Sequence, residues 1–397
     1  MPINFLGCKL TEEPFVVNHW SNVDIFNYFS HHMVTIPPAT WINNAHLHGT
    51  KIIGTFITEW NDGVSGCSEF LKNEETVEQI VSCLIKVTQI YNFDGWLINI
   101  ENPLTAEQVN LMMYFLEMLT LGLKSSDSKN VVIWYDSVLK SGALKWQNEL
   151  NSLNKCFYDV CDGIFLNYNW NPDRLDYSIK MAGAENSSKI FVGIDCFDRG
   201  TFGGGGFNVN VAMLEIKKRN MSAALFAPGW LVECHEGVCI LKQNDKFYNL
   251  ISKYLPTRPI RKLPISTTFN CGFEGRNFCY AKGTLQPILC SADDKTYAQI
   301  NKEGGIVLNG KTVDLFSLKI KEKDEVEMNL QIKCAFDENS SFVVEFHDEK
   351  SNLIASIELK SPLTECKVKF TSLSRISIRS INPCNSTLLL TSFALTP

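Results

Sequence analysis

The stretch FDGWLINIEN, residues 93–102, begins as an apolar strand and ends with an amide and a carboxylate two residues apart. Side chains of a strand alternate between its two faces, so Leu97, Asn99 and Glu101 share one face and Trp96 lies on the other. The sequence therefore predicts a buried strand whose last polar groups, Asn99 and Glu101, point to the same place.

Six further runs resemble this strand and alternate with longer amphipathic stretches of helical spacing. They are VDIFNYFS (23–30), KIIGTFITEW (51–60), VVIWYDSV (131–138), DGIFLNYNW (162–170), IFVGIDCF (190–197) and SAALFAPGW (222–230). This alternation predicts the α/β class, as a TIM-type (β/α)8 barrel in which seven strands are evident. INFLG (3–7) is a short candidate for the eighth strand.

The pattern changes after the segment LPTRPIRKLP (255–264), whose prolines and basic residues are typical of a linker. Beyond it, alternating runs such as SFVVEFHDE and STLLLTSFALTP follow one another without long helices. Such runs predict a β-sandwich. We therefore expect a catalytic barrel over residues 1–255, a linker over 256–264 and a β-sandwich accessory domain over 265–397.

Composition excludes several classes of function. The net charge of -6 and the lack of a long Lys/Arg run argue against a nucleic-acid partner. No apolar run approaches the roughly 18 residues of a membrane span, and the N-terminus lacks the features of a secretory signal. The 14 cysteines have no zinc-type spacing, so we expect reduced thiols in a cytosolic protein with no metal and no cofactor.

Polar and aromatic residues gather where the predicted strands end, or just beyond. In a parallel α/β fold these ends converge on one mouth, where ligands bind. Aromatic rings with amides and acids, and without a basic cluster, are typical of a sugar site. Each residue alone also fits packing or loop capping. The candidates are Phe29, His31, Glu59, Trp60, Asn99, Glu101, Trp134, Tyr135, Asp136, Asn167, Asn169, Trp170, Asp195 and Trp230.

The amide beside Glu101 suggests a particular chemistry. Most glycosidases use two carboxylates, but in substrate-assisted hydrolysis the acetamido group of the substrate replaces the second one. Glu101 would then be the general acid, with a pKa raised by its aromatic surroundings, and Asn99 would orient the acetamido group.

Several blocks of the sequence resemble those of cytosolic endo-β-N-acetylglucosaminidases, the glycoside hydrolase family 85 type, in the same order. They are YFSHHMVTIPP, GTFITEWNDG, DGWLINIEN, WYDSVLKSGALKWQNELN, NYNW and ALFAPGWLVEC, within residues 15–280. These enzymes cut between the two core N-acetylglucosamines of N-glycans on glycoproteins, glycopeptides or free oligosaccharides, and also transfer glycans to other acceptors.

The resemblance implies roles for individual residues. Glu101 would be the acid/base, and Asn99 would steady the acetamido group in its oxazoline-forming tautomer. Tyr135 would assist at the same centre. Trp146 and Trp170 would line the substrate or acceptor groove.

Family members usually have one more strand upstream of the block that starts near Phe15, so we expect an incomplete barrel. Two other readings remain open. A chitinase-like hydrolase commonly carries DGxDxDxE, where this chain has Leu97 and Asn99 in place of the two later aspartates. A non-catalytic glycan-binding protein would have no need of Glu101.

Overall fold

The computed structural model describes residues 17, 19–235, 238, 240–269, 273–274, 277–278, 285–288, 297–300, 305–309, 312–381 and 387–397. They fall into two compact units. The first comprises Ile25–Ile42 and Lys51–Trp230, and the second comprises the described residues of 17–24, Asn43–Thr50 and Leu231–Pro397. The candidate eighth strand at residues 3–7 lies outside the described residues.

The first unit is built on a parallel sheet. Its strands are β1 (Ile25–Asn27), β2 (Val34–Thr35), β3 (Lys51–Glu59), β4 (Gly95–Glu101), β5 (Val131–Tyr135), β6 (Gly163–Leu166), β7 (Ile190–Asp195) and β8 (Ser222–Phe226). Seven of them run parallel in the order β1-β3-β4-β5-β6-β7-β8, and β2 pairs antiparallel with β3. The seven predicted strands and their parallel arrangement are confirmed.

Helices follow the strands as predicted. They are α1 (Ala39–Leu47), α2 (Trp60–Phe70), α3 (Glu74–Tyr91), α4 (Ala106–Ser126), α5 (Lys155–Val160), α6 (Pro172–Ala182), α7 (Val209–Lys218), α8 (Trp230–Glu233) and α9 (Ile240–Ile251). Short 3₁₀ turns occupy Trp20–Asn22, Ala184–Lys189, Gly206–Asn208 and Ser252–Tyr254. Capping boxes begin α3 at Asn73 and α4 at Thr105, which satisfies the free backbone N–H groups of their first turns.

An Asp-Gly pair begins both β4 and β6. The carboxylates of Asp94 and Asp162 accept hydrogen bonds from backbone N–H groups of the neighbouring strands, at 2.7 Å for Ile52 and 2.8 Å for Val132. Gly95 has φ +134°, and a Cβ there would lie 1.9 Å from the Val131 carbonyl oxygen. These contacts fix the register at the start of β4, and hence the positions of the side chains at its end.

The two faces of the sheet carry different side chains. Ile53, Leu97 and Ile133 form an inner cluster, with Phe29, Tyr135 and Phe165 packed against it. The opposite face packs under helices: Trp96 donates its indole N–H to Thr88 of α3 at 2.8 Å. Strand alternation therefore places Asn99 and Glu101 on the inner face, beyond Leu97.

The second unit contains an antiparallel sheet, as the absence of helical patterns predicts. Its strands are β9 (Ile265–Thr267), β10 (Phe273–Glu274), β11 (Asn277–Phe278), β12 (Tyr297–Ile300), β13 (Ile306–Asn309), β14 (Thr312–Ala335), β15 (Phe342–His347), β16 (Leu353–Glu358), β17 (Leu363–Ser380) and β18 (Thr387–Thr396). The main sheet has the order β12-β13-β18-β14-β17-β15-β16, with β9 paired to β18. Residues from both ends of the long strand β14 enter one hydrophobic core, because register shifts interrupt the strand between them.

A buried histidine lies in the same unit. His48 has its Nδ1 2.7 Å from the Asn44 carbonyl oxygen, and its Nε2 accepts the backbone N–H of Gln286 at 2.7 Å. Burial lowers the pKa of His48 to about 4, against hydrogen bonds that raise it. The neutral imidazole is therefore part of the folded structure at neutral pH.

Candidate active site

Asn99 and Glu101 lie together at the end of β4. Asn99 is 4% exposed, and its amide donates a hydrogen bond to the Glu101 carboxylate. Among the described residues, no group bonds to the buried Oδ1 of Asn99. A buried carbonyl oxygen without a partner costs stability, so this atom is a candidate for binding a donor from a ligand.

The environment of Glu101 favours its protonated form. Burial raises the pKa of Glu101 most, the hydrogen bond from Asn99 lowers it, the negative charge of Glu59 raises it and the charge of His31 lowers it. The net pKa is raised from its ordinary value. A carboxyl group that keeps its proton toward neutral pH is suited to act as a general acid.

Glu59 ends β3 directly beside Glu101, its Cα partner in the parallel pairing. The Nδ1 atom of His31 lies 2.9 Å from Glu59 Oε2. The His31 ring stacks on Trp60, with centroids 6.4 Å apart, and meets the Phe29 ring edge to face at 5.4 Å. These four predicted residues therefore form one group beside Glu101.

Trp60 is the most exposed large side chain of this group, at 74%. Its φ of +51° is unusual for a bulky residue and marks a sharp turn from β3 into α2. The ring is therefore displayed to solvent at the end of the sheet where Glu101 lies, as a sugar-stacking surface would be.

A chain of hydrogen bonds leads from Tyr135 to the loop after β5. The Tyr135 hydroxyl donates to Asn167 Oδ1 at 3.0 Å, and the Asn167 amide donates to Asn148 Oδ1 at 2.8 Å. The indole of Trp146 also hydrogen bonds to Tyr135. Burial and the charge of Glu101 hold the pKa of Tyr135 well above its usual value, so its hydroxyl stays neutral.

Asp136 holds this loop rather than facing the mouth. Its Oδ2 accepts the backbone N–H groups of Gln147 and Asn148 at 3.0 and 2.7 Å, and its Oδ1 accepts the Asn154 amide at 2.9 Å. Burial raises the pKa of Asp136 to about 6, against these hydrogen bonds. Asp136 therefore positions the loop that carries Trp146.

Asp195 is fully buried and paired with a cation. Its carboxylate bonds to Arg199 Nε at 2.7 Å and to an Arg199 terminal nitrogen at 2.8 Å. Burial raises the pKa of Asp195, but the bonds from Arg199 outweigh it and the net pKa is lowered. The carboxylate is therefore occupied, and the partly exposed guanidinium, 5.4 Å from the centre of the Phe226 ring, faces outward instead.

Three predicted tryptophans and one asparagine make contacts within the fold. Trp134 is fully buried on the outer face and stacks on Phe157 of α5 at 4.5 Å. Trp170 donates to the Gly193 carbonyl oxygen at 2.7 Å and is buried. Trp230 packs edge to face on Phe207 at 5.2 Å, and Asn169 bonds to Asn148 through its backbone at 3.1 Å. Trp134, on the outer face of the sheet, therefore does not belong to the predicted site.

Sequence reasoning missed four residues beside the site: Asn148, Tyr168, Arg199 and Phe226. Phe226 ends β8, and its ring meets that of Phe29, just after β1, at 6.0 Å, so it joins the two outer strands of the parallel sheet. It also stacks on Tyr168, after β6, at 6.0 Å. Strand-end position was a usable signal for Phe226, the last residue of β8. Asn148 gave no such signal, since it acts through a left-handed turn (φ +57°) within a long loop.

The site contains acids, amides and aromatic rings but no arrangement suited to a metal. Across the described part of the chain, no group of three or more His, Cys, Asp or Glu side chains could hold a metal ion. Nor does any described helix combine the length and apolar character needed to cross a membrane. The residues can donate a proton, accept a hydrogen bond from a ligand and stack on a flat apolar face of a ligand.

Comparison with known proteins gives a family match. Residues 5–278 match the model of Glycosyl hydrolase family 85. The human cytosolic endo-beta-N-acetylglucosaminidase is 45% identical over 279 residues, which is 70% of this chain and 37% of that protein. Cytosolic endo-beta-N-acetylglucosaminidase 2 of Arabidopsis thaliana is 41% identical over 310 residues, 74% of this chain and 44% of that protein.

A solved structure matches the fold. The crystal structure of the glycoside hydrolase domain of Endo-D from Streptococcus pneumoniae R6 has a TM-score of 0.76 at 17% identity, over 97% of this chain and 72% of that one. The chain spans between 37 and 44% of the length of the human and plant relatives.

Proposed function

Because the chain belongs to glycosyl hydrolase family 85, we propose that it is an endo-β-N-acetylglucosaminidase. The proposed reaction cleaves the β-1,4 bond between the two core N-acetylglucosamines of N-glycans, on glycoproteins, glycopeptides or free oligosaccharides. The observation that carries the proposal is the unpartnered Oδ1 of Asn99 beside a carboxyl group whose pKa is raised. The names of the relatives support a cytosolic location.

In the first step, the substrate supplies its own nucleophile. The acetamido N–H donates to Asn99 Oδ1, and the acetamido oxygen attacks the anomeric carbon to form an oxazolinium ion, the protonated oxazoline, whose N–H stays bonded to Asn99. The glycosidic C–O bond breaks as Glu101 gives its proton to the leaving oxygen. An amide suits the position of Asn99, because its oxygen accepts the acetamido N–H without adding a charge beside Glu101.

In the second step, water opens the oxazoline. Glu101, now ionised, takes a proton from the attacking water, and the configuration at the anomeric carbon is retained. A sugar hydroxyl in place of water gives glycan transfer. Tyr135 stays neutral, so its hydroxyl is able to hydrogen bond at the same centre without adding charge. Trp60 and Trp146 are the exposed rings on which sugar units would stack.

The test is digestion of a high-mannose glycopeptide by the purified chain, followed by mass spectrometry. We expect one N-acetylhexosamine to remain on the peptide and chitin oligomers to remain uncut. Glu101→Gln should lose at least about 10²-fold in hydrolysis. Glu117→Gln, the same change at an exposed position on α4, should keep full activity. Cleavage of chitin alone would instead support a chitinase-like enzyme.

A second experiment separates the two steps. Asn99→Gln should suppress hydrolysis of the glycopeptide, because oxazoline formation needs the oriented acetamido group. The same variant should still transfer glycan from a pre-made oxazoline, since Glu101 is intact. Asn110→Gln on the exposed face of α4 is the control. Equal loss of both activities in Asn99→Gln would argue against substrate assistance.

A further inference from the structure

Two carboxylates end adjacent strands of the sheet. Glu59 and Glu101 are Cα partners in the parallel pairing of β3 and β4. Ile53 and Leu97 face the inner cluster, and counting alternate residues from them places Glu59 and Glu101 on that same face. A negative charge so placed opposes the ionisation of Glu101.

Contacts hold Glu59 in this position. His31 Nδ1 lies 2.9 Å from Glu59 Oε2, and the His31 ring is held between Trp60 and Phe29. The Glu59 side chain is 11% exposed and that of His31 is 69% exposed. His31 therefore lies at the solvent side of Glu59 and orients a largely buried carboxylate.

We propose that Glu59, held by His31, is a positioning residue that keeps the proton on Glu101 until the glycosidic bond breaks. This inference rests on the proposed function, in which Glu101 is the acid. The charge of Glu59 acts on Glu101 across two neighbouring strand ends, and the hydrogen bond from His31 prevents the Glu59 carboxylate from turning toward water.

The other groups around Glu101 do not supply this effect. Asn99, through its hydrogen bond, and His31, through its charge, both lower the pKa of Glu101. Tyr135 and Tyr168 are neutral at the pH of the reaction, because burial raises the pKa of both hydroxyls. Asp136 is bound within its loop, and the charge of Arg199 is paired with Asp195. Burial raises the pKa of Glu101, and Glu59 is the charged neighbour that acts in the same direction.

The pH profile of kcat/KM on the glycopeptide tests this role. Its alkaline limb reports loss of the proton from the acid of the free enzyme. In Glu59→Gln we expect this limb to move about one pH unit toward acid, with kcat/KM nearly restored at low pH. His31→Ala frees the Glu59 carboxylate but also removes a charge that lowers the pKa of Glu101, so its limb should move less toward acid than that of Glu59→Gln. His31→Asn keeps a donor near the position of Nδ1 without the charge, so its limb should not move toward acid.

A direct titration provides an independent readout. In protein labelled with ¹³C at glutamate carboxyls, the Glu101 signal is the one absent from Glu101→Gln, and Glu59→Gln should lower its pKa. This titration can be measured even if the chain cleaves no N-glycan. The role of Glu59 and the proposed function can therefore be refuted independently of each other. A raised KM with an unchanged pH profile and an unchanged Glu101 titration would make Glu59 a substrate contact and overturn the inference.

Discussion

Replacing Asn99 with leucine removes the unpartnered oxygen at the centre of the site. Asn99 is almost fully buried, so the stability of the variant depends on the hydrogen bonds that the amide makes and does not make. Its Oδ1 has no partner in the described residues, whereas its amide N–H bonds to Glu101. A leucine of similar volume has neither the unpartnered oxygen nor the hydrogen bond to Glu101.

The two contributions have opposite signs. A buried acceptor without a partner costs about 1–3 kcal/mol, and a hydrogen bond contributes about 0.5–1.5 kcal/mol. We therefore expect the stability of Asn99→Leu to lie between about 0.5 kcal/mol below and about 2.5 kcal/mol above that of the wild type. Hydrolysis should fall by about 10²–10³, as on removal of one preorganised polar group from a transition state.

Asn102→Leu is the matched control. Asn102 is 1% exposed, and its amide is bonded to Cys67 Sγ at 3.4 Å and to the Pro103 carbonyl oxygen at 3.2 Å. The same substitution there leaves the hydrogen-bond partners of Asn102 without their donor, so it should destabilise by about 1–3 kcal/mol.

Urea unfolding followed by tryptophan fluorescence measures the stability of both variants, and the glycopeptide assay measures activity. A stable but inactive Asn99→Leu would show that the amide serves the reaction at the expense of the fold. If this variant is destabilised as much as Asn102→Leu, the amide is structural and the reasoning is wrong.

Three further predictions concern other parts of the chain. Trp60→Ala should raise KM for the glycopeptide about tenfold, with unfolding free energy changed by less than about 0.5 kcal/mol because the ring is exposed; an unchanged KM would exclude a stacking role. Gly95→Ala should destabilise by about 3 kcal/mol in urea unfolding, since its Cβ would meet the Val131 carbonyl oxygen, whereas Gly66→Ala meets an ordinary contact within α2 and should stabilise by about 0.5–1 kcal/mol. The unfolded chain takes up a proton at His48 near pH 6.5 and the folded chain only near pH 4, so the stability present above pH 6.5 should fall by about 3 kcal/mol between those values; His48→Gln should show a smaller fall in urea unfolding across that range.

Much of the site was predictable from strand alternation. The apolar runs defined the strands, and counting alternate residues placed Asn99 and Glu101 on one inner face. The same count puts Trp134 opposite Tyr135, and the structure indeed buries Trp134 against α5. Trp134 entered the predicted site because residues at strand ends were chosen by chemical type, without checking on which face of the strand each side chain lies.

Other features depend on partners that are distant or lie in loops. Trp170 follows the end of β6, where alternation no longer applies, and it turns to bond with a carbonyl oxygen of the next strand. Asp195 faces inward as its strand position suggests, but its carboxylate is bonded to Arg199, which lies in the turn after the strand. The sequence does not reveal the shape of that turn. Strand periodicity describes the sheet well and says little about the loops that complete the site.

The loop after β5 is held to the neighbouring elements partly through its backbone. Asp136 accepts the backbone N–H groups of Gln147 and Asn148, and Arg174 donates a hydrogen bond to the Gln147 carbonyl oxygen at 3.3 Å. Such bonds place few demands on side-chain identity, because two of the donors are backbone N–H groups. A substitution at Trp146 should therefore leave the path of this loop, and the acid and the amide of β4, in place.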